Sequence, residues 1–233
     1  MSKKRILLKL TGGAFLDRDG HASTKTIASL AQQIKKLQNT HQFNIVVGGG
    51  NFFRGDREGK QLGLTRSVGH HVGMLATMMN GMILKDFFEK KELKAALFSA
   101  IVCPGLITPA RESAIKRTLQ DNDVVIFAGG TGLPFFTTDT NAVVRALQTE
   151  ANELWKTTDV EGVYEADPKT DNKAKLIKNM SHAQALEQNI KVMDATAFRL
   201  AAEEKLTIRV FNIFSPDALV QAANDESFGS KIQ

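Results

Sequence analysis

Cysteine occurs once in the 233 residues, at Cys103. No internal disulfide can form, and a cysteine-rich metal site is excluded. Tyrosine and tryptophan also occur once each, and most of the 14 phenylalanines lie in apolar runs. Basic residues outnumber acidic ones by 30 to 25, a net charge of +5, but they come as scattered pairs such as Lys35-Lys36 and Lys90-Lys91. A nucleic-acid surface needs a denser basic stripe with interleaved aromatics, so no nucleic-acid partner is expected. The mild positive excess suits small phosphorylated molecules instead. No apolar run approaches the roughly 20 residues that a membrane-spanning helix requires. Behind Lys3-Lys4-Arg5 the apolar stretch reaches only from Ile6 to Leu10 and is broken by Lys9, too short for a secretory signal. The expectation is a cytoplasmic chain with no membrane partner. The histidines (His21, His41, His70, His71 and His182) show no metal-ligand spacing, so no metal held by side chains alone is expected.

Hydrophobic residues at 42% and charged residues at 24% are ordinary for a globular chain of a length that can bury a sizeable core. Short β-type runs alternate with helical ones. Strands are read at Arg5–Leu10, Asn44–Val47, Ala95–Ser99, Asp123–Ala128, Glu153–Thr157 and Thr207–Phe211. Helical periodicity marks 24–39, His70–Lys90, Glu112–Leu119, Thr140–Glu150, Ser181–Gln188, Asp194–Glu203 and Pro216–Asn224. Gly55–Thr65 reads as a polar loop and Glu165–Lys178 as a turn-rich stretch. This alternation predicts βαβ units, hence an α/β fold with a central, mostly parallel sheet between helical layers. With no repeat, low-complexity tract or linker, residues 1–233 are read as one domain.

Three of the strands end in glycine clusters: Gly12-Gly13, Gly48-Gly49-Gly50 and Gly129-Gly130-Thr131-Gly132. In open α/β sheets ligands bind beyond the carboxyl ends of the strands. Glycine there lets backbone N–H groups approach a phosphate closely. Three such turns together point to a phosphorylated ligand. Yet the P-loop spacing is absent between Gly55 and Gln61, and neither Gly48–Gly50 nor Gly130–Gly132 completes the dinucleotide fingerprint.

The motifs as a set resemble those of bacterial uridylate (UMP) kinases, members of the amino-acid kinase superfamily. The resemblance lies in Leu8-Lys9-Leu10-Thr11-Gly12-Gly13, Val47-Gly48-Gly49-Gly50-Asn51-Phe52-Phe53-Arg54-Gly55, Gly73-Met74-Leu75-Ala76-Thr77, Gly130-Thr131-Gly132-Leu133-Pro134-Phe135-Phe136-Thr137-Thr138-Asp139, Val160-Glu161-Gly162-Val163-Tyr164-Glu165-Ala166-Asp167-Pro168 and Lys191-Val192-Met193-Asp194-Ala195-Thr196. These occur in family order between about residues 5 and 212. The resemblance implies the amino-acid kinase-like three-layer αβα fold. It also implies a cytoplasmic homohexamer of pyrimidine nucleotide biosynthesis that transfers the γ-phosphoryl group of ATP, with Mg2+, to UMP. An acceptor part would span roughly 1–150 and an ATP-binding part roughly 151–233. Lys9, Asp139 and Asp194 would be catalytic. Lys9, Thr11, Gly12, Gly50, Arg54, Lys156, Thr158, Tyr164 and Asp167 would bind ATP. Gly49, Arg54, His70, Thr131, Gly132, Leu133, Phe136, Thr137 and Thr138 would bind UMP. The buried or subunit-facing methionine helix (Met74, Met78, Met79, Met82) is expected at a subunit interface.

Three positions depart from the family pattern. His70 stands where an aspartate normally binds the acceptor ribose, and Leu133 where an asparagine reads the uracil edge. Glu89 replaces a histidine associated with GTP activation. Imidazole offers no paired anionic acceptor, and leucine offers no hydrogen bond at all. Two alternatives therefore stand beside UMP phosphorylation: another small acceptor, or a non-catalytic oligomeric nucleotide- or oxyanion-binding protein on the same fold.

Overall fold

A computed structural model describes residues 3–17, 19–55 and 57–233. Its strands are β1 (Lys4–Leu10), β2 (His41–Val47), β3 (Ala95–Ser99), β4 (Thr108–Pro109), β5 (Val124–Ala128), β6 (Glu153–Thr158), β7 (Val163–Tyr164), β8 (Leu176–Ile177), β9 (Asn179–Met180), β10 (Ile208–Asn212) and β11 (Ser230–Ile232). Its α-helices are α1 (Lys25–Leu37), α2 (Glu58–Gln61), α3 (Arg66–Glu89), α4 (Glu112–Asp121), α5 (Thr138–Gln148), α6 (His182–Glu187), α7 (Ala195–Glu203) and α8 (Ala218–Asn224), with a 3-10 turn at Gly12–Phe15. The main sheet runs β4-β3-β5-β2-β1-β6-β10-β11-β9, and β7 with β8 forms a small separate ribbon. Every pairing in the main sheet is parallel except β10 with β11.

Period-2 alternation sends the sheet's side chains to two cores. Ile6, Leu8, Leu10 and Trp155 pack with Ile27 and Leu30 of α1, Leu84 and Phe88 of α3 and Leu219 of α8. Leu7 and Leu154 pack on the other face with Ile115 of α4, Val143 and Ala146 of α5 and Phe198 of α7. The three layers follow from this. They also decide where two polar residues go: Lys9 and Lys156 share the parity of Leu7 and Leu154, so both emerge on the α5 side.

Elements that the sequence reading did not contain are short. Strands β4, β7, β8 and β9 have two residues each and β11 has three, too few to show an alternation. Helix α2 lies inside the stretch read as a loop. Helix α3 begins at Arg66 rather than His70 because Thr65 caps it, its hydroxyl accepting from Val68 N at 3.4 Å. Helix α5 begins at Thr138 because Thr137 is its cap, accepting from Asp139 N and Thr140 N.

At the amino end of β6 an ionic cluster, buried at Glu153 and Arg209 and open to solvent at Lys4, ties three strands together. Glu153 accepts from Lys4 Nζ at 2.7 Å and from Trp155 Nε1 at 2.8 Å, and lies 3.5 Å from Arg209 Nε. Burial pushes the Glu153 carboxyl up, but Lys4, Trp155 and Arg209 outweigh it and leave the carboxyl below its usual value. Its contribution to stability is therefore full above the ordinary glutamate range and is lost as pH falls through the lowered value. Glu153→Gln should cost about 1–3 kcal/mol in urea unfolding at neutral pH, with the difference from the parent shrinking under acid.

Candidate active site

The carboxyl ends of β1, β2 and β5 lie side by side, Leu10 opposite Val47 and Val46 opposite Phe127. Their three glycine turns touch one another or a common support. Gly48 N donates to Leu10 O at 2.9 Å. A Cβ on Gly12 would lie 2.7 Å from Asn51 Oδ1 and 3.0 Å from Gly50 N, so the first two turns are packed backbone to backbone. The support is one face of α3. Asn80 Nδ2 donates to Gly48 O at 2.7 Å and exchanges hydrogen bonds with the Asn51 amide. Thr77 Oγ1 accepts from Gly129 N at 2.8 Å. A Cβ on Gly49 would stand 2.8 Å from both Ala76 Cβ and Gly73 O. Gly49→Ala should therefore overpack this joint and cost about 1–3 kcal/mol in denaturant unfolding.

Parallel register sets Lys9 of β1 directly beside Lys156 of β6. Adjacent strands are about 4.8 Å apart, so two ammonium groups on one face would repel. The first turn of α5 places a carboxylate between them. Asp139 Oδ1 lies 3.2 Å from Lys9 Nζ and 2.8 Å from Lys156 Nζ. Burial pushes the Asp139 carboxyl up, yet the two cations more than offset this and hold it below the usual aspartate value. Lys156 is lowered to about 8, first by burial and then by the Lys9 charge, against the opposing pull of Asp139. One carboxylate thus serves two lysines, leaving an excess of positive charge where a phosphate could complete the pairing.

Three cavities are linked through shared lining residues, and of this group Asp139 alone lines one, the smallest of the three. One of about 730 Å³ is lined by Gly49, Gly50, His70, Phe136, Thr137 and Thr138 among others, with Lys60, Arg66, Gly73, Met74 and Thr77 contributing from α2 and α3. One of about 520 Å³ is lined by Thr158, Tyr164 and Asp167, with Asp159, Lys169 and the segment 188–192. Between them lies a hollow of about 420 Å³ with Asp139 and Asp194 in its wall. It shares Thr137 with the first cavity and Asn189, Ile190 and Lys191 with the second.

The remaining residues expected from sequence take other places. Gly50 falls on the first cavity, while Arg54 is exposed and turns its Nε to Gly50 O at 3.0 Å. Thr11 caps the 3-10 turn, with Gly13 N directed at its hydroxyl. Thr131 exchanges hydrogen bonds with the Leu133 backbone, and Gly132 turns at φ +79°. Neither these two nor Leu133 lines the large cavity, and the Leu133 side chain is 59% exposed. Asp194 is the N-cap of α7, accepting from Ala197 N at 3.0 Å, and also accepts from the hydroxyls of Thr137 and Thr140. It locks α7 to the start of α5 and so fixes the turn that carries Asp139. Glu89, the third departure, pairs with Lys85 one turn earlier at 2.6 Å.

The α3 contribution was partly hidden. Met74 and Met78 are buried and Met79 and Met82 exposed, so the methionines divide between two faces. Gly73, Thr77 and Asn80 recur at three- and four-residue spacing on an otherwise apolar helix, and that small or polar stripe is the sequence signal for the face that holds the loops. Lys60 and Arg66 gave no comparable signal.

The amino acid kinase family model matches residues 4–212. A uridylate kinase of Haemophilus influenzae is 42% identical over 231 residues, 98% of this chain and 97% of its own length. The crystal structure of UMP kinase from Ureaplasma parvum superposes with a TM-score of 0.94 at 35% identity, covering 100% of both chains. That of the UMP kinase from Bacillus anthracis gives 0.93 at 30% identity, covering 100% of this chain and 97% of the other. The match in sequence and in fold thus runs through every element that builds the three cavities, and the chain belongs to the amino acid kinase family.

Proposed function

We propose that this protein is an ATP-dependent nucleoside-monophosphate kinase that transfers the γ-phosphoryl group of ATP to UMP, giving UDP and ADP. The observation that carries this reading is the pair of lysines sharing Asp139, which lies in the wall of the hollow that joins two larger cavities. An acceptor phosphate is already anionic near neutral pH, so no general base is needed. An acceptor oxygen bonds to the γ-phosphorus as its bond to the ADP oxygen breaks. The protein has to align two polyanions and neutralise charge in a loose transition state. Lys9 meets the transferring group, helped by the amides of the Gly12-Gly13 and Gly49-Gly50 turns, and Lys156 holds the donor phosphates. Asp139 keeps both ammonium groups aimed. UMP occupies the large cavity beside Gly49, His70 and Thr138. The base and ribose of ATP occupy the cavity of Thr158, Tyr164 and Asp167.

Mg2+ fits this arrangement as a cation brought in by the nucleotide. Asp139 and Asp194 already make ion pairs or hydrogen bonds, and such an ion is held mainly by phosphates, waters and one or two carboxylates. When bound it spreads the charge of the β- and γ-phosphates. Residues 1–150 act as the acceptor part and 151–233 as the donor part of one domain, joined where β1 pairs with β6. Val68, Leu75, Met79, Met82 and Ile83 form an exposed apolar stripe on α3. Such a stripe supports a subunit interface, in keeping with a homohexamer. No helix among the described residues is long and apolar enough to cross a membrane. A cytoplasmic role in pyrimidine nucleotide supply belongs to the same reading.

The relatives named uridylate kinase favour this reading over a non-catalytic binding protein or a different acceptor. A coupled ADP-release assay over UMP, CMP, dUMP and dTMP tests it. UMP should be turned over fastest; no turnover with any pyrimidine nucleotide would defeat it.

A further inference from the structure

The segment from Gly129 to Phe135 makes four left-handed turns of the backbone. Three fall on Gly129, Gly130 and Gly132, at φ +72°, +56° and +79°, where the absence of a Cβ makes them inexpensive. The fourth falls on Phe135, at φ +71°. Other non-glycine residues with positive φ have ordinary reasons. Glu92, Glu150, Asn189 and Lys205 follow the ends of α3, α5, α6 and α7, and Asp217 precedes α8; the left-handed residue after a helix is a common stop. Phe135 stands three residues ahead of α5, and among the described residues it is the only aromatic one with this geometry. A bulky side chain held there is strained, and strain of this kind persists where surrounding contacts over-determine it, as at ligand sites.

The contacts are visible. The Phe135 ring lies 5.3 Å from the His70 ring at 51° and 5.5 Å from the Arg66 guanidinium carbon. Both partners line the large cavity, as does the next residue, Phe136. Phe135 itself does not line it and remains 59% exposed. So an aromatic ring that gains little from burial is set against two residues that line the large cavity.

Resting on the acceptor reading given above, we infer that Phe135 is a positioning residue for UMP. Its ring holds the His70 imidazole and the Arg66 guanidinium in the orientation that the acceptor meets. It acts through these two groups rather than on the phosphates. Acceptor affinity, not the transfer step, therefore depends on it.

Steady-state kinetics with UMP and ATP varied separately test this on the parent, Phe135→Leu, Phe135→Tyr, His70→Ala and the His70→Ala/Phe135→Leu double variant. Phe135→Leu should raise KM for UMP roughly tenfold, the scale of one aromatic pair plus one cation–π contact. The kcat and the KM for ATP should stay within about twofold, as expected for binding lost equally in ground and transition states. Phe135→Tyr should restore the parent KM. In the His70→Ala background the same leucine substitution should cost less than about threefold, because the two residues are coupled. An unchanged KM for UMP in Phe135→Leu, an equal fall in kcat, or the full penalty persisting without His70 would overturn the inference. If the parent itself neither binds nor phosphorylates UMP, the acceptor assignment fails first and this inference fails with it. Parent turnover with an indifferent Phe135→Leu variant defeats the inference alone.

Discussion

Lys9→Ala should lower kcat for UMP phosphorylation by about 10²–10³-fold, the usual cost of removing one preorganised group from developing transition-state charge. The protein should nevertheless fold. Lys9 is the sixth residue of a strand already paired on both sides, and its neighbours Leu8 and Leu10 supply the burial. Removing its charge also relieves Lys156, whose ammonium it opposes. The melting temperature should therefore shift little while turnover collapses. Circular dichroism melts beside a coupled ADP assay separate the two effects. A rate within about threefold of the parent would remove Lys9 from the transfer step.

Asp139→Asn should be at least as damaging, about 10²–10⁴-fold in kcat, and should also change the pH profile. In the parent, Lys156 titrates near pH 8 in the free protein. Phosphate binding needs the protonated form, so kcat/KM for ATP should fall as pH rises through about 8. The asparagine amide offers no charge to offset burial and the Lys9 field, so the descending limb should move to lower pH. The sign for stability is opposite. An unfolded lysine keeps its proton up to its ordinary value of 10.5, so between about 8 and that value the unfolded chain holds more protons. The contribution of Lys156 to stability thus rises with pH across this window, while activity falls. A descending limb near the ordinary lysine value in both proteins would sink this account.

Much of the fold was legible because its elements are long and patterned. The alternation of Ile6, Leu8 and Leu10 against Leu7 and Lys9, and the spacing of Ile27, Leu30 and Ile34, encode both core faces of β1 and α1. The starts of α3 and α5 slipped by four and two residues, because the caps Thr65 and Thr137 precede the apolar pattern. The glycine turns were legible as phosphate-type loops, since three strand ends carry them. Their common support was not: the hydrogen bonds of Asn80 to Gly48 and of Thr77 to Gly129 span 32 and 52 residues. Nor could spacing show that Lys9 and Lys156, 147 positions apart, face each other, because that is a fact of strand register. Leu133, expected beside the acceptor, stands outside the cavity because the turn at Gly132 directs its side chain to solvent. The left-handed geometry of Phe135 also has no residue-level mark, as glycine is the residue such a position ordinarily selects.

The long helix has a mechanical consequence. Thr77 and Asn80 are one turn apart on a single hydrogen-bonded rod, and between them they moor loops that come from distant parts of the chain. A small axial slide or roll of that rod would carry all three anchorages together, so none of the loops can be re-aimed independently. Its outer side, with Leu75, Met79 and Met82 bare, is where a neighbouring molecule would push. Any displacement of α3 would then be felt first as a change in how the glycine turns are set against one another.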